Sequence, residues 1–113
     1  MVSLTDMSDF SLHDLEARIG VRADAGADVS YTRRLLDRGV AHCAKKLGEE
    51  AVELALAAVG EGRERVIEEA ADLCYHLLVV LKARDVGFAD VEAVLNARTA
   101  QSGLAEKASR KGG

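Results

Sequence analysis

Apolar residues recur along this chain at three- and four-residue spacing, the periodicity of an α-helix. Over residues 40–59, Val40, Cys43, Ala44, Leu47, Ala51, Leu54 and Ala58 fall on one stripe. Over residues 63–84 the stripe is Val66, Ala70, Leu73, Cys74, Leu77 and Leu81. Gly60-Glu61-Gly62 separates the two segments and reads as a turn. The pattern predicts two long helices folded back as a hairpin. Shorter amphipathic helices are expected over residues 10–19, built on Phe10, Leu12, Leu15 and Ile19, and over residues 88–99, built on Phe88, Val91, Val94 and Leu95. Ser11 has Asp14 at capping-box distance. Ser30 is a good N-cap for a helix over residues 31–38, which Gly39 would kink or break. Residues 20–28 read as a connector, and Asp85-Val86-Gly87 as the end of the second long helix.

The runs 54–59 and 77–81 are apolar around the whole helix circumference. Helices of that kind are buried on every side, and one hairpin cannot cover both faces of both helices. The expected fold is therefore all-α, a helical hairpin completed to a four-helix bundle by dimerisation. With 113 residues the chain has the length of one domain. Aromatics make up only 4% and proline is missing, which suits long helices better than sheets. Three parts are expected: residues 1–29, a short helix and connector; residues 30–100, the all-α core; and residues 101–113, a basic tail that is mobile unless a ligand orders it.

Charge and cysteines narrow the function classes. A net charge of −4 argues against nucleic acid, whose partners show basic patches. Cys43 and Cys74 stand among apolar neighbours with no metal-ligand partner at short spacing, and read as reduced, buried thiols. The first residues carry neither a basic region nor an apolar core, so no signal peptide is expected, and no apolar run is long enough for a membrane. The expected setting is the cytoplasm.

Candidate chemistry lies in four acids mirrored about Glu61. Glu53 and Glu69 stand eight residues on either side of it, and Glu50 and Asp72 eleven. In an antiparallel hairpin they converge about 12–17 Å from the turn, at 1.5 Å rise per residue. On a helical wheel Lys46, Glu50 and Glu53 occupy a flank away from the apolar stripe, and Glu69, Asp72 and His76 another, with Arg65 one turn above. Any one of these glutamates alone reads as a solvated helix residue. The group is different, because like charges one turn apart repel, two such pairs face each other, and the apolar runs that follow them place the acids beside the buried part of the bundle, where unpaired charge is costly. A hard divalent cation such as Mg²⁺ relieves that repulsion with oxygen ligands. His76 reads equally as a structural histidine or as a partner of a ligand carboxylate or phosphate; His13 reads as a surface residue. Arg33, Arg34, Lys45 and Lys46 upstream and Arg98, Lys107 and Arg110 downstream bracket the acids. Acids for a metal among such cations suit a polyphosphate. No glycine-rich phosphate loop is present.

Glu50-x-x-Glu53 followed by Glu69-x-x-Asp72 resembles the E-x-x-E, E-x-x-D pattern of the all-α nucleoside triphosphate pyrophosphohydrolases, the MazG-like superfamily. The strings Ser30-Tyr31-Thr32, Lys45-Lys46-Leu47-Gly48-Glu49-Glu50-Ala51-Val52-Glu53 and Glu68-Glu69-Ala70-Ala71-Asp72-Leu73-Cys74-Tyr75-His76-Leu77-Leu78-Val79 resemble its phosphoribosyl-ATP pyrophosphatase branch, and Glu106-Lys107-Ala108-Ser109-Arg110 resembles a segment of stand-alone members. The resemblance covers about residues 30–110. It implies a dimeric enzyme that hydrolyses phosphoribosyl-ATP to phosphoribosyl-AMP and pyrophosphate, the second step of histidine biosynthesis. It further implies that Glu50, Glu53, Glu69 and Asp72 hold Mg²⁺, and that Glu49 is a further ligand or orients the attacking water. Lys45, Lys46 and nearby arginines such as Arg33 would steady the phosphates, with Tyr31, His76, Lys107 and Arg110 contacting substrate. Two alternatives stand beside it. One is a general pyrophosphohydrolase of dUTP or non-standard triphosphates. The other is a non-catalytic helical dimerisation module.

Overall fold

The computed structural model describes residues 9–100. Lys107, Arg110 and the rest of the expected tail lie outside the described residues. Among the described residues the chain is all helical, with no strand. The helices are α1 (Leu12–Ala23), α2 (Tyr31–Asp37), α3 (Val40–Gly60), α4 (Arg63–Ala83) and α5 (Phe88–Thr99). The long hairpin is α3 and α4, joined through Glu61 and Gly62. No helix among the described residues is long and apolar enough to cross a membrane.

Local chemistry sets each boundary. The Ser11 hydroxyl accepts from the Asp14 amide, and the Asp14 carboxylate accepts from the Ser11 amide at 2.9 Å, a complete capping box. The helix it opens runs past the expected end at Ile19, because Ala23 is buried one turn on and Gly20 is tolerated within the helix. Phe10 stays outside the core, its ring under the Arg18 guanidinium at 4.5 Å. Ser30 caps α2 by accepting from the Arg33 amide at 3.0 Å, and donates to the Arg22 carbonyl at 2.7 Å, which ties the start of α2 to α1. Gly39 breaks the chain with φ +95°. The end of α4 is closed by Asp85 at φ 57°, which lets the Val86 amide return to the Leu81 carbonyl at 2.9 Å.

The hydrophobic core comprises Ile19, Leu35, Cys43, Leu78, Val79 and Phe88, with Leu12, Leu15, Leu36, Tyr75, Val80, Leu81, Ala83 and Val91 packed against it. These residues put α1, α2 and α5 against the half of the hairpin far from the turn. Helix α5 is fastened to α1: the Phe88 amide donates to Glu16 at 2.8 Å, and His13 meets Glu92 at 2.6 Å, so His13 is half-exposed but engaged. Only part of the stripe expected on α5 is covered, since Val94 and Leu95 face solvent.

The expected stripe on α3 also differs. Cys43 and Ala57 are buried, but Val40, Ala44, Ala51 and Ala58 are exposed. On α4 the buried set is Glu69, His76, Leu78 and Val79. The α3–α4 contact face is therefore rotated from the purely apolar one and takes in acids from both helices. Near the turn, Val52, Leu56, Val59 and Ile67 stand in solvent in the single chain, Val59 to 85%. Both cysteines are free; Cys43 is buried with its thiol on the Leu35 carbonyl at 3.2 Å, and Cys74 is half-buried.

Two glycines make opposite predictions. At Gly39 a side chain would sit in the left-handed region, whereas Gly48 is mid-helix with open space where a Cβ would go. Gly39→Ala is expected to destabilise the fold by about 1–2 kcal/mol. Gly48→Ala should stabilise it by roughly 0.5–1 kcal/mol. Thermal unfolding of the two variants checks this; shifts of the same sign would contradict it.

Candidate functional site

The hairpin brings the mirrored acids together. One carboxylate oxygen each from Glu50, Glu69 and Asp72 lies within 4.8 Å of the others. Glu53 is exposed at the edge of this group, close enough to raise the pKa of both Glu50 and Glu69. The helical wheel put the acids on flanks away from the apolar stripes but beside surface expected to be buried. In the fold Glu69 is only 3% exposed and Glu50 is half-buried. The backbone spacing is as the mirror requires, but the seam between α3 and α4 is where the carboxylates meet.

Electrostatics follow from that burial. Burial, then the hydrogen bond and negative charge of Glu53, push the Glu69 carboxyl up to about 7, against the opposing pull of Arg65. Glu50 is raised for the same reasons in the same order, with Asp72 adding and Lys46 opposing. The Glu50 Oε2 atom is buried and has no hydrogen-bond partner. Desolvated carboxylate oxygens without a partner are costly. This donor set of hard oxygens, one of them orphaned, fits a divalent cation such as Mg²⁺ and has neither the thiolates nor the histidines of a structural zinc site.

Cations stand at both ends of the seam. Toward the turn, Arg65 donates to Glu69 at 3.2 Å and to Glu68 at 3.1 Å, and pairs with Glu61 at 3.3 Å. At the other end Lys46 meets Glu49 at 3.3 Å, and Lys45 meets the same carboxylate at 3.9 Å. Glu49 is thus exposed and held by two lysines, outside the tight group of Glu50, Glu69 and Asp72. His76 is buried on α4, its ring edge-on to Tyr75 at 5.0 Å, and its Nδ1 has no partner. Burial first, then the charge of Lys46, lowers its pKa.

Of the other expected residues, Tyr31 is half-exposed and stacks on Tyr75 at 6.4 Å. Tyr75 is fixed by a 2.6 Å hydrogen bond between its hydroxyl and buried Thr32. Arg33 points elsewhere. Its guanidinium pairs with Asp37 at 2.8 Å and donates to the Ala23 carbonyl at 2.7 Å, holding α2 to the end of α1. A groove of about 370 Å³ runs instead between Tyr31, Arg34, Leu35, Arg38, His42 and Lys46. Neither Arg38 nor His42, which the spacing puts on the flank of α3 far from the turn, was given a role from the sequence. The signal was available: Arg34, Arg38, His42 and Lys46 recur at every fourth position, and the next step is Glu50.

The family model described as phosphoribosyl-ATP pyrophosphohydrolase matches residues 12–99. A phosphoribosyl-ATP pyrophosphatase of Nitrobacter winogradskyi is 61% identical over 104 residues, covering 92% of this chain and 90% of its own. A protein of Bradyrhizobium diazoefficiens named phosphoribosyl-ATP pyrophosphatase 1 is 58% identical, over 93% of this chain and 99% of its own. One of Rhizobium meliloti, named phosphoribosyl-ATP pyrophosphatase, is 50% identical over 93% and 98%.

The raised carboxyl makes a pH prediction for metal-free protein. The unfolded chain releases the Glu69 proton near 4.5, while the folded chain keeps it to about 7. Between these values the folded state binds more protons, so stability falls as pH rises. Relative to a Glu69→Gln variant, the wild-type melting temperature is expected to drop across this window. Parallel melting curves for the two proteins would show that the Glu69 carboxyl is not raised.

Proposed function

The chain belongs to the phosphoribosyl-ATP pyrophosphohydrolase family, and on that premise we propose that it hydrolyses phosphoribosyl-ATP to phosphoribosyl-AMP and pyrophosphate, the second step of histidine biosynthesis, with Mg²⁺ as cofactor. The observation that carries this reading is the acidic seam, where Glu50 keeps a buried oxygen without a partner beside Glu69 and Asp72. Glu50, Glu53, Glu69 and Asp72 would hold the ion. When bound there it would offset phosphate charge and lower the pKa of a coordinated water. Arg65 fixes the Glu69 carboxylate from the turn side.

The remaining roles follow from the side chains. Lys45 and Lys46 now share Glu49. A triphosphate entering beside them draws the two ammonium groups away, because phosphate offers more negative charge than one carboxylate. Glu49 is then free to accept a proton from the attacking water. That water forms the new P–O bond, the anhydride bond between the α- and β-phosphates breaks, and pyrophosphate leaves. His76, with its open Nδ1, contacts the substrate or its ordered water. Tyr31 gives the nucleotide an aromatic face. The general triphosphate hydrolase shares the same acids, but the family and relatives matched carry the phosphoribosyl-ATP name.

The enzyme is proposed to work as a cytoplasmic homodimer. Val52, Leu56, Val59 and Ile67 form exposed apolar surface on both arms of the hairpin near its turn. A second copy packed there completes a four-helix bundle.

Turnover of phosphoribosyl-ATP, dUTP and ATP by the purified protein with Mg²⁺ tests the activity. Phosphoribosyl-ATP is expected to be the preferred substrate, and rapid dUTP turnover without it would reject the reading. Glu53→Gln and Asp72→Asn should each lower activity by at least about 100-fold, the upper end for perturbing a metal site's support, with the melting curve retained. Leu56→Glu should shift sedimentation from dimer to monomer; an unchanged dimer would remove this face from the interface.

A further inference from the structure

The acids and their lysines account for one end of a phosphoribosyl-ATP molecule, its triphosphate. That substrate carries a second anionic end, the 5-phosphate of the ribose attached to the adenine. The groove beyond Lys46 has the chemistry for it. Lys46 belongs to both places, since it lines the groove and lowers the pKa of Glu50 by its charge. From Glu50, His42 lies eight residues back along α3, about 12 Å at 1.5 Å per residue. That is comparable with the length of an adenosine. Arg38 is a further turn away, just before the break at Gly39.

The side chains in this groove are not occupied equally. Arg34 is clamped, donating to the Ala27 carbonyl at 2.6 Å and to the Asp28 carbonyl at 3.4 Å, and contributes a fixed charge. Arg38 makes no side-chain hydrogen bond or ion pair among the described residues, although Asp37 is its neighbour in sequence; that carboxylate is taken by Arg33. His42 is half-buried, also without a side-chain hydrogen bond among the described residues. Burial, then the charges of Arg38, Lys45 and Lys46, hold His42 below its ordinary pKa. Among the described residues, four basic side chains and no acid line this groove, Glu49 acting on His42 from outside it. An arginine fork without a partner beside an imidazole is a recognition element for a phosphate dianion.

We propose that the groove of Tyr31, Arg34, Leu35, Arg38, His42 and Lys46 is a distal phosphate subsite for the ribose 5-phosphate end of the substrate, with Arg38 and His42 as its specificity residues. This rests on the activity proposed above. It gives the enzyme a means to tell phosphoribosyl-ATP from ATP, which has the same triphosphate and lacks the second phosphate.

The test uses the full chain and Arg38→Ala. Arg38 is exposed and makes no side-chain bond among the described residues, so its loss is expected to leave the fold intact, and Arg38→Lys provides a variant that keeps the charge. For Arg38→Ala, kcat/KM on phosphoribosyl-ATP is expected to fall roughly 10- to 100-fold, the effect of one charge-assisted hydrogen bond. Arg38→Lys should recover part of that loss. Competitive inhibition by ATP should keep its wild-type Ki. An unchanged kcat/KM, or a Ki for ATP that weakens in parallel, overturns the subsite. Titration with ribose 5-phosphate, followed on the His42 ring resonances, separates the subsite from the activity. Saturable binding by wild type and none by Arg38→Ala supports the subsite even if phosphoribosyl-ATP proves not to be hydrolysed. Binding that survives Arg38→Ala overturns it.

Discussion

Repulsion among carboxylates in the α3–α4 seam is the constraint around which this molecule is arranged. Two helices in contact cannot keep four ionised acids between them without compensation. The chain supplies part of it by setting Arg65 at one end of the seam and Lys46 at the other. The remainder shows as the raised Glu69 carboxyl and the orphaned Glu50 oxygen. Packing is distributed accordingly. The buried apolar cluster sits at the opposite half of the hairpin, where α1, α2 and α5 cover it. The fold thus draws its stability from a region that no ion has to complete. The acid end is left free to hold the proposed cation.

The same division explains the open apolar surface. Among the described residues, α3 and α4 make their most extensive helix–helix contact with each other. Ala57 is fully buried in that contact while Val52, Leu56 and Val59 look outward on the same helix. An amphipathic helix has one apolar face, and α3 has two at this level. One is used in the hairpin, and the proposed second copy would cover the other.

The convergence of the acids was legible in the sequence because it depends only on counting residues from a turn. So was their place beside buried surface, which follows from the apolar runs next to them. The contact face itself was not. Apolar periodicity picks the more hydrophobic face of a helix as the buried one. Here that choice took Val40, Ala51 and Ala58 inward, where the single chain exposes them, and left Glu50 and Glu69 on a flank. Helix α1 outlasted its expected end because Gly20, a weak breaker on its own, is outweighed by burial of Ala23. Arg33 and Arg34 show a finer limit. Adjacent residues on a helix point about 100° apart, at 3.6 residues per turn. Only the position of Asp37 and the Ala23 carbonyl decides which of the two is consumed by structure.

The basic column illustrates why spacing and structure must be combined. Arg34, Arg38, His42 and Lys46 keep a four-residue rhythm, but Gly39 divides it between two helices, and across a break such a rhythm has no geometric meaning by itself. What restores it is local. Gly39 adopts a positive φ that a side chain would resist. The Cys43 amide then bonds the Gly39 carbonyl at 3.1 Å to start α3, and the Cys43 thiol returns to the Leu35 carbonyl at 3.2 Å. That buried contact ties the first turn of α3 to α2 and fixes their relative rotation. The two helices can therefore change direction while their basic side chains still line one groove. Cys43, whose sequence context indicated nothing beyond a small buried hydrophobe, thus holds the two halves of the basic column in register.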